Sequence, residues 1–350
     1  MRALIVKTSA LGDIVQAIPV VEYLKTRQKV DRIGWVVEKR FSSLVKAHPL
    51  VDDVIEIDTG FLRSFSLGCI SEFCAQRKTV RASEWDVLFD LQANCKSGLY
   101  TFLARSEVKV GYGRETVAEW PNILVTTRHK NPPKTLSVRD TYMWMVKSFF
   151  SDDSPFESSH LSLVLQPHEE QAFAQELARW PAQRKVWMIA VGSNWPNKMC
   201  STDAFKQVLS LVRKKYAPYF VFLAGNGEEL KEVGLLAEGF CDTSHVMYRP
   251  ELPVLQRLMG RVEAVIAVDS LLLHLAGTTN TPTFGFFGPS LGEKYAPPGK
   301  NSGYFQGTCP FDIQFEKRCP FLRTCEESKC LKQADPVKMF ETLDSWHASV

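Results

Sequence analysis

The chain carries two stretches of one pattern, VWMIAVGSNWPNK at residues 186–198 and AVIAVDSLLLH at residues 264–274. In each, an apolar run is followed at once by a polar loop. A continuous apolar run is typical of a strand buried in a parallel sheet. The loop at its carboxyl end then faces the ligand crevice of an open α/β sheet. Residues 3–13, ALIVKTSALGD, show the same pattern near the N-terminus.

Strand and helix patterns alternate outward from these stretches. In the first half the predicted strands are Ala3–Val6, Arg32–Val37, Val54–Ile57 and Val87–Leu91, and the helices are Asp13–Arg27, Phe41–Ala47 and Cys95–Ala104. In the second half the strands are Val186–Val191, Phe220–Ala224, Ala264–Val268 and Thr283–Phe287. The helices there are His168–Arg179, Thr202–Lys215, Glu228–Gly239, Leu252–Gly260, Leu271–Thr278 and Pro336–His347. Such alternation predicts an α/β fold with a doubly wound parallel sheet in each half.

A length of 350 residues favours two domains. The polar, turn-rich segment Ser151–Ser159 is the predicted linker. We therefore expect one Rossmann-like domain over residues 1–155, a second over 156–335 and a closing helix in 336–350. The two domains are expected to face each other across a cleft.

The composition is that of an ordinary globular protein, with 45% hydrophobic and 23% charged residues. A net charge of +3 gives no reason to expect a nucleic-acid partner. With no signal peptide and no apolar stretch of membrane-spanning length, we expect a cytoplasmic protein. Neither half has a G-x-G-x-x-G fingerprint after its first strand, which disfavours a dinucleotide-dependent oxidoreductase.

The loop at residues 7–13 offers groups for chemistry in the first half. Asp13, at a helix start, is a candidate general base for an acceptor hydroxyl, and a carboxylate that only caps the helix is the alternative. Four cations in loops or helix starts would form an anion-binding acceptor wall if they converge, and are otherwise ordinary surface cations. They are Lys7, Arg63, Lys96 and Arg114. Ser9 and Gly12 of the same loop as Asp13 are also expected to contact the acceptor.

The second half offers groups for a phosphate-rich donor. Lys198 is suited to neutralise charge on a leaving pyrophosphate, unless it is a solvated loop lysine. Glu229 is a candidate for binding ribose hydroxyls through its carboxylate. The alternative is that it only interacts favourably with the helix dipole. Ser193 and Asn194 are expected to donate hydrogen bonds to phosphate oxygens. Asp269 and Ser270 open the next helix, where Asp269 would orient amide groups or contact the sugar, and His274 is either a donor ligand or a core histidine.

Four cysteines are concentrated near the C-terminus, at Cys309, Cys319, Cys325 and Cys330. Their spacings of ten, six and five residues do not match the paired C-x₂₋₄-C pattern of zinc sites. We therefore expect a reduced or partly paired structural cluster, and no metal. The odd total of nine cysteines also fits reduced thiols better than a disulfide framework.

The motifs at residues 1–13, 35–38, 195–198 and 268–275 together resemble the lipopolysaccharide heptosyltransferases of glycosyltransferase family 9. The N-terminal stretch is most similar to the heptosyltransferase I branch. The resemblance covers most of the chain and implies the GT-B fold of two Rossmann-like domains. Two departures from the family pattern are Cys200-Ser201 after the lysine loop and Leu271 where a glycine is common.

The resemblance implies inverting transfer of L-glycero-D-manno-heptose from ADP-heptose to Kdo-lipid A or inner-core lipopolysaccharide. Asp13 would be the base and Lys198 the phosphate-neutralising group, with no metal and no cofactor. The acceptor implies a peripheral place on the cytoplasmic face of the inner membrane. Two alternatives stay open, a transferase for a UDP- or GDP-hexose and a non-catalytic nucleotide-binding protein.

Overall fold

The computed structural model describes residues 1–60, 67–158, 160–325 and 327–350, with backbone only for 67–70. The chain divides into two compact units, Met1–Ser159 and His160–Val350. The division falls at the end of the predicted linker, and residues 151–158 contain neither helix nor strand. Within the described ranges, every helix is too short or too polar to span a lipid bilayer.

The first unit contains six strands and five α-helices among its described residues. The strands are β1 (Arg2–Val6), β2 (Arg32–Glu38), β3 (Asp53–Ile57), β4 (Glu84–Asp90), β5 (Arg105–Tyr112) and β6 (Arg128–Lys130). The helices are α1 (Leu11–Thr26), α2 (Ser42–Lys46), α3 (Leu67–Val80), α4 (Cys95–Leu103) and α5 (Val138–Phe149).

The second unit repeats this organisation. Its strands are β7 (Val186–Ala190), β8 (Tyr219–Ala224), β9 (Ser244–Tyr248), β10 (Ala264–Val268), β11 (Thr283–Phe287) and β12 (Ser302–Gln306). Its helices are α6 (Pro167–Ala178), α7 (Thr202–Tyr216), α8 (Gly227–Ala237), α9 (Leu252–Met259), α10 (Leu271–Ala276), α11 (Gly292–Tyr295), α12 (Lys329–Lys332) and α13 (Pro336–His347).

Both sheets are wholly parallel and have the same strand order. The first runs β3-β2-β1-β4-β5-β6 and the second β12-β11-β10-β7-β8-β9. In each case the winding direction reverses beside the first strand of the unit, between β1 and β4 and between β7 and β10. The predicted doubly wound α/β fold is confirmed, and each reversal marks the place where such sheets bind ligands.

The central strands are buried on both faces, which explains why their sequences are almost continuously apolar. In β10, Ala264–Val268 is wholly buried, and Thr283–Phe287 of β11 equally so. The strands missing from the prediction are β5, β6, β9 and β12, which lie at or next to sheet edges. Because such strands carry polar and charged residues, as in RSEVKVGY of β5, they lack the apolar signature.

The closing helix α13 belongs to the core of the second unit. Met339 and Leu343 are fully buried in one cluster with Phe284 and Phe286 of β11. The indole of Trp346 packs against Phe284 with ring centroids 5.2 Å apart. The helix therefore contributes to the stability of this unit and is not an appendage of the chain.

Replacing Leu343 by alanine should therefore destabilise the second unit. We expect the free energy of unfolding to fall by about 2–5 kcal/mol, since a large buried side chain is deleted and a cavity is left. Urea denaturation measures this change. Glu341→Ala on the exposed side of the same helix is the control and should change stability by about 0.5 kcal/mol or less. Equal effects would contradict the placement of the helix.

Candidate active site

Lys7 lies directly after β1, at the reversal of the first sheet, and only 2% of it is exposed. The indole nitrogen of Trp35 donates a 3.0 Å hydrogen bond to its carbonyl oxygen. Its ammonium lies 4.8 Å from the ring centroid of Tyr142 and 3.8 Å from the carboxylate of Asp13. Burial lowers the pKa of Lys7, while the charges of Asp13 and Asp90 act in the opposite direction.

Asp13 occupies the first turn of α1, beside the buried Lys7, and is partly exposed to solvent. Its side chain keeps 35% of its surface exposed. The loop before it is held by the Ser9 amide, which donates to the Gln92 side chain at 3.2 Å across the reversal. A partly exposed carboxylate in this position can be reached by a bound hydroxyl and accept its proton.

Asp90, at the end of β4, was not predicted as a site residue but organises the neighbouring loop. It is fully buried. Its carboxylate accepts hydrogen bonds from Ser97, Thr101 and Asn122 at 3.0, 2.9 and 2.7 Å. A carboxylate at the last position of an apolar strand run, in FDLQAN, is the sequence signal that could have found it.

The predicted basic groups follow neighbouring strands of this sheet. Lys96 is half-buried in the first turn of α4, after β4, and Arg114 is exposed after β5. With Lys7 after β1, they share the carboxyl edge of the sheet. Arg63 lies outside the described residues.

In the second unit the central feature is a buried ion pair at the reversal between β7 and β10. The Lys198 ammonium lies 2.6 Å from the Asp269 carboxylate. Lys198 is 8% exposed and Asp269 is 4% exposed. The sequence predicted that both serve the donor, but their contact with each other was not foreseen. The burial of Lys198 and its contact with Asp269 exclude the interpretation of Lys198 as a solvated loop lysine.

Two further groups complete the surroundings of Asp269. The hydroxyl of the fully buried Ser290, which follows β11, donates a short hydrogen bond to it. His274 Nε2 lies 3.8 Å from its other oxygen. Burial of Asp269 would raise its pKa, but Lys198, His274 and Ser290 outweigh this and lower the pKa. Asp269 therefore remains a carboxylate that holds the lysine.

Ser270 presents a hydroxyl that the described residues leave without a hydrogen-bond partner, although the oxygen is buried. A buried hydroxyl of this kind is normally satisfied, so the atom is suited to a ligand oxygen. Ser193 accepts from the Trp195 amide at 3.3 Å, and Asn194 is exposed in the same loop. These three predicted residues follow the adjacent strands β7 and β10.

Glu229 lies in the first turn of α8, after β8. Its carboxylate accepts the Gly225 amide at 2.7 Å. It also packs against Gly192, where a Cβ atom would lie 2.6 Å from the Glu229 carboxyl carbon. Because Gly192 precedes Ser193, this contact connects the carboxylate to the loop that ends in Lys198.

The predicted residues that the structure describes thus lie at the carboxyl edge of the sheet of their own unit. The first offers an accessible carboxylate beside a buried cation, which suits proton removal from a hydroxyl. The second offers a lysine, hydroxyls and an acid near a glycine turn, which suit a phosphate and a sugar ring. The group of described residues with ligand atoms close enough for a metal ion is His168, Glu169 and Glu251, which includes none of these predicted residues.

Comparison with known proteins shows what the chain resembles. The model of glycosyltransferase family 9 (heptosyltransferase) matches residues 73–324. Lipopolysaccharide heptosyltransferase 1 of Salmonella typhimurium is 26% identical over 311 residues, which cover 87% of this chain and 92% of that protein. The Pseudomonas aeruginosa protein of the same name is 22% identical over 344 residues, covering 96% and 93%.

A solved structure supports the same fold. The structure of E. coli heptosyltransferase WaaC with ADP superposes with a TM-score of 0.78 at 21% identity, over 99% of this chain and 100% of that one. Both chains are therefore built on the GT-B fold.

Asp269→Asn should strongly destabilise the second unit, because it leaves the Lys198 ammonium buried beside a neutral amide. The expected loss in the free energy of unfolding is about 3–5 kcal/mol. The pair of half-buried Lys294 and exposed Glu293 provides the control, and Glu293→Ala should cost about 1 kcal/mol or less. Denaturant titration of both variants makes the comparison, and an Asp269→Asn effect no larger than that of the control would contradict the buried pair.

Proposed function

The chain belongs to glycosyltransferase family 9, and we propose that it transfers L-glycero-D-manno-heptose from ADP-heptose to Kdo-lipid A or to a partly built lipopolysaccharide inner core. It is a glycosyltransferase of the GT-B fold. The proposal for donor and acceptor is supported by the similarity to lipopolysaccharide heptosyltransferase 1 over most of both chains. The observation that carries it is the presence of an accessible Asp13 in one unit and a buried Lys198 in the other.

The donor is proposed to bind at the β7–β10 reversal. The diphosphate would contact the Lys198 ammonium, the buried Ser270 hydroxyl and the loop that carries Ser193 and Asn194. His274 lies near enough to Asp269 to share this region. Glu229 would accept hydrogen bonds from the ribose. Asp269 is proposed to act through Lys198, since their side chains are in contact.

The acceptor is proposed to bind at the β1–β4 reversal, where Lys96 and Arg114 would attract its anionic groups. Arg63, which lies outside the described residues, is proposed for the same role. Ser9 and Gly12 belong to the loop that leads into α1. Lys7 is almost wholly buried. We therefore assign it to the orientation and charge of Asp13 more than to direct contact with the acceptor.

The reaction would be a single displacement. Asp13 accepts the proton of the acceptor hydroxyl as the hydroxyl oxygen bonds to the anomeric carbon. The bond from that carbon to the ADP oxygen breaks, and ADP leaves with its negative charge neutralised by Lys198. The attack comes from the side opposite the departing ADP, so the anomeric configuration inverts. No divalent cation is required in this step because a lysine takes the part of the metal.

This acceptor would also place the protein at a membrane. Kdo-lipid A is a lipid, so the enzyme would work peripherally on the cytoplasmic face of the inner membrane.

Transfer can be measured directly by mass spectrometry of Kdo-lipid A incubated with the full chain and ADP-heptose, without added divalent cation. We expect the acceptor mass to increase by one heptose. A competition series with ADP, UDP and GDP tests the donor, and ADP should compete best. Tight ADP binding without transfer to any lipopolysaccharide precursor would instead indicate a non-catalytic nucleotide-binding protein. Preference for UDP or GDP would indicate a different sugar donor.

Asp13→Ala should abolish transfer while ADP binding stays within a few-fold of that of the unchanged chain. The loss of a general base is worth roughly 10²–10⁴-fold in rate. The matched control is Glu84→Ala, an exposed carboxylate at the opposite, amino end of β4, and it should keep full activity. Calorimetric titration with ADP separates binding from catalysis. If Asp13→Ala weakens ADP binding as much as it slows transfer, the assignment as base is wrong.

A further inference from the structure

Three strongly exposed hydrophobic residues lie on two adjoining elements of the first unit. They are Leu124, Trp120 and Phe102, with exposed fractions of 72%, 67% and 65%, the highest of any large hydrophobic residue that the structure describes. Phe102 is in α4, and the other two are in the 3₁₀ helix Trp120–Val125. Single exposed apolar residues are ordinary on protein surfaces, whereas a group of them marks an interaction site. These three residues form what is here named the apolar patch.

The 3₁₀ helix packs along α4. The Glu119 carboxylate, just before the 3₁₀ helix, accepts a hydrogen bond from the Cys95 amide at 2.7 Å, at the start of α4. A Cβ atom on Gly98 would lie 3.3 Å from the side-chain nitrogen of Asn122. Because residues four apart share a helix face, Phe102 lies on the side of α4 that carries the 3₁₀ helix. The apolar patch is therefore held on two elements that are packed together.

The same part of the chain holds the protein's surplus of positive charge. From the start of α4 to the residue before α5, residues 95–137 contain seven lysines and arginines, three glutamates and no aspartate. This segment carries a net charge of +4, whereas the whole chain carries +3. The rest of the chain is therefore slightly negative. The seven cations are Lys96, Arg105, Lys109, Arg114, Arg128, Lys130 and Lys134.

Cations lie close to the patch at both ends of α4. Lys96 is in the first turn of α4, next to the contact between Cys95 and Glu119. At the other end, the Lys109 ammonium donates a hydrogen bond to the Phe102 carbonyl at 3.3 Å. Arg128 is exposed shortly after the 3₁₀ helix ends. The surface therefore combines apolar side chains with positive charge.

We propose that the apolar patch and the cations around it form the surface by which the protein docks on an anionic lipid bilayer. Indole rings favour the headgroup level of a bilayer, and phenylalanine and leucine side chains favour the acyl boundary below it. Lysine and arginine side chains near such a surface are attracted by anionic phospholipids. A second copy of the chain fits less well, because it would bring two positively charged surfaces together.

This docking rests on the proposed function, in which the acceptor is a lipid and therefore lies in a bilayer. Helix α4 follows β4, and the 3₁₀ helix lies in the connection after β5. Both elements thus leave from the carboxyl edge of the first sheet, where the acceptor is proposed to bind. Lys96 of that proposed site is in the same helix as Phe102. Docking through this surface would keep the acceptor and the first unit on one bilayer.

Sedimentation with lipid vesicles tests the surface. Vesicles of phosphatidylglycerol and phosphatidylethanolamine, without any lipopolysaccharide precursor, should bind the full chain, and vesicles of phosphatidylcholine alone should bind it at least about tenfold more weakly. The double substitution Phe102→Ser and Leu124→Ser should weaken binding to the anionic vesicles at least about tenfold, because two apolar side chains no longer leave water.

The matched control removes two exposed apolar side chains from the second unit. Leu235 and Phe311 are 58% and 57% exposed. The double substitution Leu235→Ser and Phe311→Ser should change vesicle binding by about twofold or less. All four positions are exposed, so folding is expected to be kept in both variants.

Trp120 provides a second readout in a chain that still binds. Brominated phospholipids quench the fluorescence of an indole that enters the bilayer, so the unchanged chain should be quenched by anionic vesicles that contain them. Trp120→Phe keeps an aromatic ring and should still sediment with the vesicles, but it should lose most of this quenching. Trp180→Phe, in the second unit, is the control and should retain it.

No binding of the unchanged chain to anionic vesicles would overturn the proposal, and so would equal binding by the patch variant and its control. A dimer in solution that the patch substitutions convert to a monomer would assign the surface to a second copy and also overturn it. Heptosyl transfer to an acceptor dispersed in detergent is measured separately, and the patch variant should keep it. If the unchanged chain lacks that transfer, the proposed function fails while the vesicle result stands.

Discussion

The reversal of winding in each parallel sheet is the constraint on which the rest of the structure depends. Where the strand order turns from β1 to β4, and again from β7 to β10, successive crossover helices pass to opposite faces of the sheet. A crevice is left at the carboxyl edge, and the loop after the first strand of each unit must lie beside it. Lys7 and the Lys198 loop occupy these positions.

The two sites use the same pair of residue types in opposite ways. In the first unit the lysine is buried, and the carboxylate of its partner Asp13 lies 3.8 Å from the ammonium. This carboxylate is accessible to solvent, so it is available for proton transfer. In the second unit both partners are buried, and the ammonium lies 2.6 Å from the carboxylate. The Ser290 hydroxyl and His274 surround this carboxylate. There the aspartate holds the lysine in place. Because preorganised charge costs no reorganisation during reaction, a lysine held in this way suits a leaving diphosphate.

The central strands and the loops that follow them could be predicted from the sequence, because burial on both faces imposes an apolar run. Ala264–Val268, Thr283–Phe287 and the helix Pro336–His347 were predicted with the bounds that the structure has. Polar strands near the sheet edges, such as β5 and β12, could not be predicted from the sequence, since a strand in such a position needs few apolar residues. Ser290 was also missed. Its role depends on the pairing of β10 with β11, which only the sheet topology reveals.

A crystal structure of the full chain with ADP tests the central claim most directly. The account predicts the diphosphate within hydrogen-bond distance of the Lys198 ammonium and the Ser270 hydroxyl, with the ribose at Glu229. It also predicts that the contact between Asp269 and Lys198 persists. ADP bound without contact to the loops after β7 and β10 would contradict the account.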